Sequence, residues 1–143
     1  MVKKRIIVID DEPLISTLMK ELVDEDPELE VSKITTAKDE FLAAVAQASF
    51  DIALVDISVG GREGGIEILK SLKTKELKLP VIMLSAHDEL LYALPCLKAG
   101  ARGYISKDCI CAQLVSGLKE VLAGNLFVSG DKGKNILEQY KRI

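Results

Sequence analysis

The sequence predicts an α/β fold, a doubly wound and mainly parallel sheet with helices on both faces. Three observations predict it. Short apolar runs alternate five times with amphipathic stretches, the pattern of β-α units. Two of the runs, Ile52 to Val55 and Val81 to Leu84, are unbroken in their apolarity, as strands covered on both faces should be. Polar functional side chains sit where the runs end, at the rim where open α/β sheets carry their chemistry.

The first strand is expected over Arg5 to Ile9. Pro13 then suits a first helical residue, because it lacks only an N–H that would be orphaned anyway. Ile15, Leu18, Met19, Leu22 and Val23 follow at helical spacing. Glu30 to Ile34 forms the second strand. Thr36 with Asp39 resembles a capping box leading into Phe41, Leu42 and Val45. Ile52 to Val55 is the third strand, Val81 to Leu84 the fourth and Gly103 to Ile105 the fifth. Further helices are expected over Ile66 to Lys73, Asp88 to Lys98, and Ile110 to Ala123, where Gly124 supplies a stop. Beyond Val128 the chain turns polar and rich in Gly and Lys, and 136–143 is expected as a short helix or a frayed end. The expected organisation is one domain over residues 1–128 and a polar tail over 129–143.

Bulk properties narrow the function. With 143 residues and 48% hydrophobic content, the chain can bury one good core and is too short for two ordinary domains. No stretch approaches the length of a membrane span, and Lys3-Lys4-Arg5 leads into a strand rather than a signal peptide. Three cysteines, Cys96, Cys109 and Cys111, and a single histidine fit free thiols in a reducing cytoplasm better than a zinc site. Without the last fourteen residues, the body holds 15 basic and 20 acidic side chains. That balance argues against direct nucleic-acid binding by this chain.

Asp10 and Asp11 end the first strand, Asp56 the third and Ser85 the fourth, and Lys107 follows the fifth. Singly, each has an ordinary explanation, Asp11 for instance as a helix N-cap. Together, three carboxylates converging on one cleft repel one another unless a cation is present. Oxygen-only ligands suit Mg²⁺. Asp11 and Asp56 are expected as direct ligands, Asp10 through water, and the backbone carbonyl of Ser58 as the remaining protein ligand. A carboxylate so placed can attack phosphorus to give an acyl phosphate if the phosphoryl charge is neutralised, and Lys107, Ser85 and Mg²⁺ are the groups to do it. Small Ala86 leaves room beside them.

The stretches Ile6-Ile-Val-Ile-Asp-Asp-Glu-Pro13, Asp51-Ile-Ala-Leu-Val-Asp56, Pro80-Val-Ile-Met-Leu-Ser-Ala86 and Lys98-Ala-Gly-Ala-Arg-Gly-Tyr-Ile-Ser-Lys107 resemble the response-regulator receiver family. The resemblance implies a flavodoxin-like, five-stranded sheet of order 2-1-3-4-5 with five flanking helices. It implies that a sensor histidine kinase phosphorylates Asp56, that Asp10 and Asp11 bind Mg²⁺, and that Ser85 and Lys107 contact the phosphoryl group. It also implies that Tyr104 is a switch whose ring turns inward with Ser85, and that the phosphorylated form can be a homodimer. The segment from Gly100 through Asn125 is similar to LuxR/NarL-type transcription regulators, in which a helix-turn-helix domain follows. Residues 129–143 would then begin a linker to that domain, unless the receiver stands alone.

Where the family usually has a proline four residues after the acceptor, this chain has Gly60, and Gly64-Gly65-Ile66-Glu67 holds one extra residue. A mobile loop over 60–65 is expected. It is no P-loop, for it lacks the Lys-Ser/Thr ending and follows the third strand. His87, at the mouth of the expected site, suits either tuning of hydrolysis or a plain helix start. Two other functions remain open: a pseudo-receiver that never takes phosphate, and, more distantly, a hydrolase with an aspartyl-phosphate intermediate. The second usually carries another acid two residues after the nucleophile, where this chain has Ser58.

Overall fold

A computed structural model describes residues 2–86 and 89–143. The strands are β1 (Lys4–Ile9), β2 (Leu29–Thr35), β3 (Ile52–Asp56), β4 (Val81–Ser85), β5 (Gly103–Ser106) and β6 (Phe127–Val128). The helices are α1 (Pro13–Asp24), α2 (Lys38–Gln47), α3 (Gly64–Thr74), α4 (Glu89–Lys98), α5 (Ile110–Leu122) and α6 (Gly133–Lys141). All strand pairs are parallel and the sheet order is β2-β1-β3-β4-β5-β6. The expected order is therefore right, and the expected count is corrected from five strands and five helices to six of each among the described residues.

The alternation of side chains along the strands divides the core into two layers. Ile6, Val8, Ile52, Leu54, Ile82, Leu84 and Ile105 pack with Met19, Leu114 and Leu118 of α1 and α5. Ile7, Ile9, Ala53, Val55, Val81, Met83 and Tyr104 pack with Phe41, Ile68, Leu72, Ala93, Cys96 and Leu97 of α2, α3 and α4. Cys96 is buried, and that burial pushes its thiol up to about 12, so it behaves as a small hydrophobe.

Local departures have local causes. The Thr36/Asp39 capping box does not form: α2 begins two residues after Thr36, with Ala37 as an extended N-cap and no side-chain cap. Glu40, one methylene longer than Asp39, instead reaches back to accept the Thr36 N–H at 3.0 Å. The expected helix start at Asp88, and His87 before it, lie outside the described residues; α4 is described from Glu89.

β6 is an addition that composition obscured, and α6 is the short helix that was one of the two expectations for 136–143, starting earlier, at Gly133. Phe127 and Val128 pair with Gly103 and Tyr104, a strand too short to show a period. The tail expected as polar then holds α6, where Ile136 is buried and Leu137 and Tyr140 are half-buried in the layer beneath α4. Ser129 is also buried, and its Oγ accepts the Ser106 N–H at 2.9 Å. If α6 belongs to the cooperative unit, Ile136→Ala should cost about 2–4 kcal/mol. Urea unfolding measures this, and a loss below about 0.5 kcal/mol, the range of an uncoupled surface change, would place α6 outside the folding unit.

Candidate functional site

The carboxyl ends of β1, β3 and β5 bring three sequence-predicted residues together. Asp10 follows the last residue of β1, Asp56 closes β3, and Lys107 follows β5 at the head of a single 3-10 turn, Lys107–Cys109. The registers Ile9↔Val55 and Asp56↔Leu84 set the strand ends level. Asp10 and Asp56 are each 1% exposed. The Lys107 Nζ lies 3.2 Å from Asp10 Oδ2 and 3.4 Å from Asp56 Oδ2.

Both carboxylates are oriented by donors two residues further along the chain. Asp10 Oδ1 accepts the Glu12 N–H at 2.8 Å, and Asp56 Oδ1 accepts the Ser58 N–H at 3.1 Å and the Ser58 hydroxyl at 3.0 Å. Burial pushes the Asp10 carboxyl above the usual carboxylate range. The Glu12 amide pulls it down, the charge of Asp56 pushes it up again, Lys107 opposes that, and the net direction is up. Burial pulls the Lys107 ammonium down, but its pairing with Glu12, Asp10 and Asp56 outweighs this, and the net direction is up.

Asp11 is exposed and stands beside this pair; one carboxylate oxygen from each of Asp10, Asp11 and Asp56 lies within 4.8 Å of the others. Asp11 is not a helix cap, since Glu12 is the N-cap of α1 and no side chain caps that end. Among the described residues, buried Asp10 Oδ2 accepts no well-formed hydrogen bond, and it faces the Lys107 charge at 3.2 Å. An under-satisfied buried oxygen within a hard, all-oxygen acid set fits a divalent cation such as Mg²⁺. The Ser58 carbonyl accepts the Gly61 N–H at 3.1 Å, which leaves one of its two lone pairs for a ligand.

Ser85 ends β4 and is fully buried, one position beyond the Leu84 that pairs with Asp56. Tyr104 is fully buried as well, in the layer that holds α4 and Ile136, so its ring already lies inside the protein. The loop after Asp56 keeps its glycines for two reasons. Gly60 has φ +70°, which L side chains rarely adopt. A Cβ on Gly65 would stand 2.7 Å from Ile57 Cα and 3.0 Å from the Asp56 carbonyl oxygen, so α3 packs directly under the acid.

Glu12 is the site residue that sequence reasoning missed. Its carboxylate makes the closest contact to the Lys107 Nζ of the three acids. A third acid after Asp10-Asp11 was visible, but its partner lies 95 residues away. A groove of about 510 Å³ lies elsewhere, at the opposite rim between Leu72, Leu77, Pro80 and Arg102. Its lining holds no acid, so the chemistry belongs to the acidic cleft.

Comparison with known proteins points to one family. The family model described as "Response regulator receiver domain" matches residues 6–119. The chain is 28% identical over 99% of its length to the transcriptional regulatory protein DegU of Brevibacillus brevis, covering 59% of that protein. It is 27% identical over 87% of its length to the nitrate/nitrite response regulator protein NarL of Escherichia coli, covering 57% of it. The chain thus spans about three fifths of the length of these relatives. A two-component response regulator of the LuxR family from Aurantimonas sp. SI85-9A1 shares the fold with TM-score 0.83 at 23% identity, over 98% of this chain and 96% of that one.

The raised Asp10 carboxyl has a consequence for stability. Below the unfolded value of 3.8 both states hold the proton. As pH climbs from there through the raised native value, the folded state binds the proton more firmly than the unfolded one, so stability falls. Asp10→Asn should remove that fall and raise the thermal midpoint of the metal-free protein at neutral pH. Melting curves from acid to neutral pH check this, and a variant less stable than the parent at neutral pH would refute it.

Proposed function

Because the chain belongs to the response regulator receiver domain family, we propose that it is the phosphoacceptor module of a two-component system, with Asp56 taking a phosphoryl group from a sensor histidine kinase. The observation that carries this reading is the Lys107 Nζ lying between the buried oxygens of Asp10 and Asp56, 3.2 and 3.4 Å away.

In this reading a carboxylate oxygen of Asp56 attacks phosphorus. The bond from phosphorus to the donor's leaving atom breaks, and its electron pair departs with the donor. Ser58 holds the acid in place through its two hydrogen bonds to Oδ1. Lys107 is poised to neutralise a phosphoryl oxygen, with the Ser85 hydroxyl as the second contact. Asp10, Asp11, Asp56 and the Ser58 carbonyl would hold Mg²⁺, which when bound supplies further positive charge against the phosphoryl oxygens.

The output is proposed to run from Ser85 along the chain to Tyr104. Added charge at Asp56 draws Ser85 toward it, and the layer holding Tyr104, α4 and Ile136 repacks. Receiver domains are signalling modules rather than turnover enzymes. Among the described residues no helix is long and apolar enough to cross a membrane, and the proposed compartment is the cytoplasm. The relatives are named as transcriptional and nitrate/nitrite response regulators. By analogy this receiver would control transcription, with residues 129–143 leading to an output domain that does the DNA binding, and phosphorylation favouring a homodimer.

Incubation with acetyl phosphate and Mg²⁺ should add one phosphoryl group to the intact mass, with no gain in excess EDTA and none in Asp56→Asn. A parent protein that gains nothing under any condition would instead favour a phosphorylation-independent interaction module.

A further inference from the structure

Lys107 is shared by three acids, and they differ in how freely they can let it go. The side chains of Asp10 and Asp56 are 0% and 2% exposed, whereas that of Glu12 is 55% exposed at the mouth of the cleft. Yet Glu12 lies closest to the Nζ. Its backbone is pinned: the N–H donates to Asp10 Oδ1 at 2.8 Å. Its carbonyl accepts the Ile15 and Ser16 N–H groups, both at 3.1 Å, as the N-cap of α1. Pro13 follows immediately. The anchored backbone confines motion to the side chain, which water can take up when it lets go.

An ammonium has three donors and one charge. Lys107 donates to Glu12 and Asp56 and faces the Asp10 charge at 3.2 Å, so a phosphoryl oxygen must compete with three acids for that one charge. Asp10 and Asp56 are fixed in the floor of the site, so Glu12 is the partner that can yield. We propose that Glu12 is a positioning residue, a clamp that holds Lys107 at the mouth of the cleft in the resting state and competes with the phosphoryl group for it. This rests on Asp56 being the phosphoacceptor. The clamp weakens the phosphorylated state, and so sets how readily the module switches on and how soon it resets.

Three substitutions separate a clamp from a mere negative charge. Glu12→Gln removes the charge. Glu12→Asp keeps it on a shorter side chain, which at an N-cap turns to the helix amides and no longer reaches Lys107. Glu12→Gln in a Lys107→Ala background removes the charge with nothing left to clamp. The first readout is affinity for beryllofluoride, a phosphoryl mimic, in the presence of Mg²⁺, by calorimetry. Both single Glu12 variants should bind it about two- to fivefold more tightly, the range for a half-exposed ion pair, and Glu12→Gln should change nothing in the Lys107→Ala background. The second readout is the Lys107 ammonium nitrogen resonance of the metal-free protein, which should move in both single variants.

Unchanged affinity in Glu12→Gln overturns the clamp. So does a Glu12→Asp variant that behaves like the parent, an effect that survives in the Lys107→Ala background, or a Lys107 resonance that stays in place. If the parent binds no beryllofluoride and takes no phosphoryl group, the phosphoacceptor reading falls and the clamp with it. If the parent does both and the variants match it, the clamp alone falls.

Discussion

Two buried carboxylates sharing one lysine is the constraint on which the rest of the structure depends. Asp10 and Asp56 stand at the ends of neighbouring strands with almost no access to water. Charges so placed lose hydration and repel one another. Lys107 offsets both effects, and it does so from the end of β5, two strands removed from β3. The compensation is incomplete, as the raised Asp10 carboxyl shows. A site that retains uncompensated negative charge in a hard-oxygen cleft is suited to a divalent cation and responsive to any group that alters its charge.

The sheet makes that arrangement possible because its register is over-determined. Ile6, Ile7, Val8, Ile9, Ile52, Ala53, Leu54 and Val55 are all fully buried, with helices on both faces. A one-residue slip of β1 or β3 would exchange the layers and carry its acid to the opposite face. The inner strands can therefore present Asp10 and Asp56 at a fixed height. Exposed side chains follow them directly, Asp11 and Glu12 after β1, and after β3 Gly60 takes a conformation open to few residues.

On the far edge, β6 and α6 pack beyond the fifth β-α unit. Tyr104 pairs through its backbone with Val128, and Ile136 of α6 shares its layer with α4 and with the tyrosine ring. Any displacement of α4 or of the Tyr104 ring is thus felt by the last helix. The proposed output would therefore have close-packed apolar contacts to run through toward the end of the described chain, and such contacts have few intermediate arrangements.

By itself the sequence determined the α/β alternation, the buried strands and the residues at their ends. Each of these is written in short-range pattern: unbroken apolarity for a covered strand, helical spacing between strands, an acid or hydroxyl where apolarity stops. The family motifs then supplied the strand order. The start of α2 was misread because Asp39 and Glu40 are both plausible capping acids and only their reach relative to the Thr36 amide separates them. β6 went unseen because two apolar residues have no period, and 136–143 reads as either a short helix or a frayed end because α6 is polar except on the stripe that meets α4. Only the tertiary structure decided that Lys107 sits among three acids, and that Glu12, half-exposed, holds it most closely. The physical reason is distance along the chain: a charge pair separated by 95 residues leaves no local pattern, and comes into being only when packing brings the ends of β1 and β5 to the same rim.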